Sequence, residues 1–204
     1  YRRTACPSRK SPQNHPSPSL SKRARITTGA PAAKASRSPF ATVATKVPAR
    51  LSIATSPGQP GETCIHLVDA KHGVKAPLFT RCTYGIVWPA SATVNRDGTA
   101  LALAVQPIDT WREMWVFRQS ADGWNVDIVP PGFDAPTLGY VEFAGWVPGS
   151  QQMLAAREIK ADGRFKQSFE VLRMADLSIE KWADKPTNLT PFYRWQDPVW
   201  KGQT

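Results

Sequence analysis

The chain has 204 residues and a formal net charge of +10, a length that supports one domain with a sizeable core. The charge excludes more than it suggests. No acid precedes Glu62, and residues 1–61 carry eleven Lys or Arg, whereas residues 62–204 carry fifteen basic against sixteen acidic side chains. The part able to fold is close to neutral, which argues against a folded nucleic-acid-binding domain with its own basic face.

In chain order, residues 1–61 come first. They hold nine prolines and only two aromatic residues, Tyr1 and Phe40, so they cannot bury enough apolar surface to offset the entropy of ordering. Composition therefore predicts a disordered, basic Pro/Ser/Arg-rich tail over 1–61 and a folded part over 62–204. A transit peptide would share the Arg and Ser content, but the prolines prevent an amphipathic helix. A weak, salt-dependent polyanion-binding arm is the remaining alternative, and any nucleic-acid binding would come from the tail alone. No run approaches the roughly eighteen apolar residues that a membrane-spanning helix needs.

The next segment, Cys64-Ile65-His66-Leu67-Val68, reads as a strand leading to a turn at Lys71-His72-Gly73. Cys64 and Cys82 each lie nine residues from Gly73, so a hairpin pivoting there would set them on opposite strands. A disulfide would then form in an oxidising compartment; two buried free thiols are the alternative. Cys64, His66, His72 and Cys82 have spacings that match no common zinc signature, so no metal or other cofactor is assigned. His66 reads as a packed strand residue and His72 as a solvated turn residue.

A repeat follows. Val94-Asn95-Arg96-Asp97-Gly98-Thr99-Ala100-Leu101-Ala102-Leu103 matches Trp146-Val147-Pro148-Gly149-Ser150-Gln151-Gln152-Met153-Leu154-Ala155 at an offset of 52 residues. Each has an apolar start, a polar Gly-containing turn and an apolar strand. Met114-Trp115-Val116-Phe117-Arg118 matches Phe169-Glu170-Val171-Leu172-Arg173 at an offset of 55, and Trp200 follows Trp146 by 54. Asp97-Gly98, Asp122-Gly123 and Asp162-Gly163 read as hairpin turns. A period of about 50–55 residues holding four short strands has the size of a propeller blade. The expected fold is all-β: two to three four-stranded antiparallel blades, a fragment of a β-propeller cut within blades at both ends, with Pro198–Trp200 as the first strand of a further blade.

Near the end, Thr187-Asn188-Leu189-Thr190 and Trp195-Gln196-Asp197-Pro198-Val199-Trp200 resemble the joint between blades of the TolB-like, WD40-like propellers. Those read Leu-Thr, a short loop, then Asp-x-Pro-x-Trp-Ser-Pro-Asp-Gly. Trp146-Val147-Pro148-Gly149 and Asn95-Arg96-Asp97-Gly98 look like degenerate versions of that last turn. Asp97, Gly98, Trp146, Pro148, Gly149, Asp197, Pro198 and Trp200 are thus the blade-motif residues. Two positions depart from the pattern: Lys201-Gly202 stands where Ser-Pro is usual, and Val94 where Trp is usual. The resemblance, over about residues 62–200, implies a non-catalytic interaction scaffold with a protein partner in the bacterial envelope, periplasmic or otherwise extracytoplasmic. The alternative it leaves is the gating propeller of a larger serine peptidase. No Gly-x-Ser-x-Gly elbow, phosphate-binding Gly motif or triad pattern is legible, so the chain itself is not read as an enzyme. Asn188-Leu189-Thr190 also fits the glycan acceptor pattern, but the joint accounts for it.

Overall fold

The computed structural model describes residues 50–132, 138–149 and 151–202. The basic segment 1–49, with the tail's disorder and any polyanion binding, lies outside the described residues. The described part is mostly β.

Eleven strands run in order: β1 (Ser52–Pro57), β2 (Thr63–Val68), β3 (Phe79–Thr83), β4 (Ile86–Val94), β5 (Ala100–Ile108), β6 (Trp111–Ser120), β7 (Gly123–Val129), β8 (Gly139–Trp146), β9 (Gln152–Ala161), β10 (Arg164–Arg173) and β11 (Ile179–Ala183). A 3-10 turn (Pro186–Asn188), α1 (Thr190–Trp195) and α2 (Pro198–Lys201) follow. β1, β2 and β3 form a three-stranded antiparallel sheet. β4 to β7 form a four-stranded antiparallel meander, and β8 to β11 form a second. The meanders join into one mixed sheet through a short parallel contact, Trp111 with Gly139 and Arg112 with Tyr140.

Side chains alternate across a strand, so a continuous apolar run needs cover on both faces. β5 and β9 are such runs. Leu101, Leu103 and Val105 join Trp115 and Phe117 of β6 against Ile65 and Leu67 of β2. The opposite face, with Ala102, Met114 and Val116, packs on Val141, Met153, Ala155 and Leu172 of the second meander. The second meander's other face, Leu154, Ala156, Phe169 and Val171, meets Leu189, Phe192 and Trp200. The order of layers is thus three-stranded sheet, first meander, second meander, helical segment.

Turn chemistry sets the hairpins. Asp162 and Gly163 both have positive φ, 53° and 73°, and form the whole two-residue loop between Ala161 and Arg164, as a mirror-image hairpin turn requires. The turn after β4 is built by buried Asn95. Its Oδ1 accepts from the backbone of Thr99 (2.9 Å) and Ala100 (3.0 Å), and Gly98 takes positive φ beside exposed Asp97. After β8, Val147 N donates to Gln152 O at 3.2 Å while Gly149 takes a φ of 92°.

Two expectations are corrected. Ser52–Pro57, placed in the tail by composition, is a strand paired with β2, because Leu51 and Ile53 join the core despite the basic surroundings. The folded part is not all strand. Pro198–Trp200, expected as a strand, is the start of α2: Asp197 Oδ1 accepts from Val199 N at 2.8 Å and Pro198 fills the first helical position. The ring of Trp200 then stacks edge-on to Phe169 and Phe192, with centroids 6.1 and 5.8 Å away.

A buried ion pair fastens the second meander. Arg157 Nη2 donates to Glu170 Oε2 at 2.8 Å, and Nη1 donates to the carbonyls of Pro130 (2.7 Å) and Pro131 (3.1 Å). Arg157 thereby caps two carbonyls that prolines take out of any ladder. Glu170→Ala should cost about 3–5 kcal/mol by stranding a buried guanidinium, and the double variant Arg157→Met/Glu170→Leu should recover much of it, read from urea unfolding midpoints.

Gly145 sits where β8 bulges against β9 and the chain after α1 passes over it. A Cβ there would lie 2.2 Å from Trp195 O, and Asp197 N donates to neighbouring Ala144 O at 2.7 Å. Gly145→Ala should displace the helical segment, cost about 1–3 kcal/mol or more, and shift tryptophan emission to the red as Trp200 meets water.

Candidate functional site

A cavity of about 550 Å³ lies where β4, β5, β6, β8 and α2 converge. It exists because β4 leaves its ladder. Trp88 pairs with Ala104 and Thr93 with Ala102, so Pro89-Ala90-Ser91-Ala92 loops outward opposite one residue of β5. Pro89 has no N–H to give. Ser91 repairs the gap: its hydroxyl donates to Trp88 O (2.7 Å) and accepts from Ala104 N (2.8 Å). Trp88, half exposed, and the exposed Val199 both line the cavity.

The polar wall comes from the parallel contact. Arg112 pairs with Glu142 through Nη2 and lies over the Tyr140 ring, 5.1 Å from its centroid. The Arg112 Nε is buried without a hydrogen-bond partner. Asp197 completes the wall from the start of α2. Burial, then the charges of Glu158 and Glu142, push the Tyr140 hydroxyl above its ordinary pKa; a hydrogen bond to Glu158 acts in the same direction. Tyr140 therefore stays a neutral donor at physiological pH.

Of the blade-motif residues, Asp197 and Trp200 line this cavity, whereas Asp97, Gly98, Trp146, Pro148, Gly149 and Pro198 do not. Trp146 packs on Phe143 at 4.9 Å and supports the wall from behind. Arg112 and Glu142, the site's ion pair, were missed from sequence. They lie 30 residues apart and belong to no motif, so nothing short of strand order brings them together.

Cys64 and Cys82 face each other across β2 and β3, with Cα atoms 3.9 Å apart, and are joined in a disulfide. Bonded sulfurs offer no thiolate, so the cluster they form with Glu62 is not a metal centre of the cysteine type. His66 is hydrogen-bonded on both ring nitrogens, to Ser56 Oγ and Thr80 Oγ1, each at 2.9 Å. A Ser–His contact is thus present, with a hydroxyl where a triad has a carboxylate. It ties β1, β2 and β3 together beneath the first sheet. His72 Nδ1 pairs with Asp69 at 2.8 Å in the following turn.

No helix among the described residues is long and apolar enough to cross a membrane; this does not bear on crossing by strands. No family model, curated protein or solved structure matches the chain.

The raised Tyr140 pKa fixes a pH dependence. The unfolded chain releases this proton near the ordinary value of 10.0, and the folded chain holds it to higher pH. The associated stability is complete below pH 10 and is lost as pH rises toward the folded value. Tyr140→Phe should therefore flatten the decline in melting temperature above pH 10, measured by calorimetry against the parent chain.

Proposed function

We propose that this protein is a non-catalytic interaction scaffold built from propeller-type blades of the TolB-like, WD40-like kind, working in an extracytoplasmic, oxidising compartment such as the bacterial envelope. One observation carries the reading: two successive four-stranded meanders each bury both faces between a preceding and a following layer. That is how blades pack around a propeller. Their second strands begin at Ala100 and Gln152 and their third at Trp111 and Arg164, in step with the sequence repeat. β1 to β3 then correspond to the last three strands of the blade before.

Two further features support it. Arg118 of the first meander donates to the carbonyls of Met174 and Ala175, the latter at 2.7 Å, in the turn after β10. The same guanidinium holds Asp127 at 2.6–2.9 Å. Neighbouring blades are thereby fixed at their outer ends as well as through their cores. The Cys64–Cys82 disulfide suits an oxidising compartment. A protein partner is the fitting ligand for such a scaffold, and the near-neutral folded part gives no reason to expect specific nucleic-acid binding.

Exported to such a compartment in cells, the chain should carry Cys64 and Cys82 in the oxidised form, read by differential alkylation. Proximity labelling there should mark a reproducible protein set. Covalent labelling of Ser56 by a fluorophosphonate would overturn the non-catalytic reading. A labelled set no different from that of an unrelated exported domain would overturn the scaffold reading.

A further inference from the structure

We propose that the cavity between β4, β8 and α2 is a binding site for an organic monocation, an ammonium or guanidinium carried on an apolar stem. The inference stands on the cavity alone. It would hold if the surrounding sheets were not propeller blades.

Volume comes first. About 550 Å³ falls within the range of clefts that enclose small organic ligands or a long side chain. The charges on its wall are Arg112, Glu142 and Asp197. Arg112 and Glu142 neutralise one another in a direct pair. Asp197 is left with one oxygen committed to Val199 N and no cationic partner among the described residues. The charged side chains on its lining therefore sum to one net negative charge.

The rest of the wall is apolar and aromatic. Trp88 is 45% exposed and Val199 is 74% exposed, and both line the cavity. Phe143, Met114 and Trp200 continue the apolar surface inward. Trp88 lines the same cavity as Asp197, and an indole attracts cations best among the aromatic rings. A carboxylate would meet Asp197 and Glu142, and of the one guanidinium on the wall Nη2 already holds Glu142 while the buried Nε lacks a partner. A neutral apolar molecule would desolvate Asp197 without pairing it, which is unfavourable. A cation with an apolar stem satisfies both walls.

The source of the cation is either a free amine or the lysine or arginine side chain of a partner protein, and the chemistry is shared. The test uses the full chain, tryptophan fluorescence and calorimetric titration, with three probes of one shape: phenethylammonium, phenethyl alcohol and hydrocinnamate. Phenethylammonium should bind more tightly than either by about tenfold, the scale of one charge-assisted hydrogen bond. Asp197→Asn keeps a good helix cap and should erase that preference. Trp88→Ala, at an exposed position, should weaken phenethylammonium without altering the circular dichroism spectrum. A short peptide with one internal lysine separates the sources: tighter binding than the free amine assigns a partner's side chain, weaker binding a small amine. Equal binding of the three probes, preference for hydrocinnamate, no saturable binding of any of them, or an undiminished preference in a folded Asp197→Asn chain would each overturn the proposal.

Discussion

Burial of both faces of each meander is the constraint on which the rest depends. A sheet covered on one side reads as alternating apolar and polar residues. β5 instead runs Ala-Leu-Ala-Leu-Ala-Val, with its odd and even positions entering different clusters. The sizes are matched to the layers. Leucines point at the three-stranded sheet, and the alanines let Met114 and Val116 approach the second meander closely. β9 repeats the device with Met153 and Ala155 on one side and Leu154 and Ala156 on the other. No single meander of this composition is stable alone, because each face would expose a stripe of side chains worth roughly 1.5–3 kcal/mol apiece on burial.

The polar fastenings follow from that layering. Stacked sheets need short returns between them, and returns leave backbone groups outside any ladder. Arg157 takes up the carbonyls of Pro130 and Pro131, Arg118 those of Met174 and Ala175, and Asn95 the amides of Thr99 and Ala100. Arg118 lies near the end of β6, Asn95 just after β4 and Arg157 midway along β9, and each reaches a loop. The buried Arg157–Glu170 pair adds geometric definition, since a guanidinium fork accepts few arrangements of its partners.

The cavity arises from a break in the same order. Where β4 bulges at Pro89, the first meander withdraws from the second, and α2 closes the gap as one wall instead of filling it. Its lining on β4, β5, β6, β8 and α2 places any recognition on rigid elements. Ser91 holds the bulge open through two backbone contacts, so the opening is a built feature of the strand.

The sequence by itself determined the β class, the repeat of 52 to 55 residues and the Gly-centred turns, and offered the facing of Cys64 and Cys82 as one of two readings, because period-two alternation, turn residues and hairpin symmetry are local signals. Composition misjudged Ser52–Pro57, since charge and proline content average over a window in which Leu51 and Ile53 are few but decisive. α2 carried a legible sign in Asp197-Pro198, a capping residue followed by a first-turn proline. Its tryptophan, however, matched the strand repeat more visibly. Only the tertiary structure decided that Trp200 would enter an aromatic cluster with Phe169 and Phe192, that Arg112 would meet Glu142, and that Asp197 and Trp88 would line one cavity. Those meetings depend on the parallel contact of β6 with β8 and on the outward loop of β4. Long-range pairing is set by the sum of packing over both faces, and no short segment encodes it.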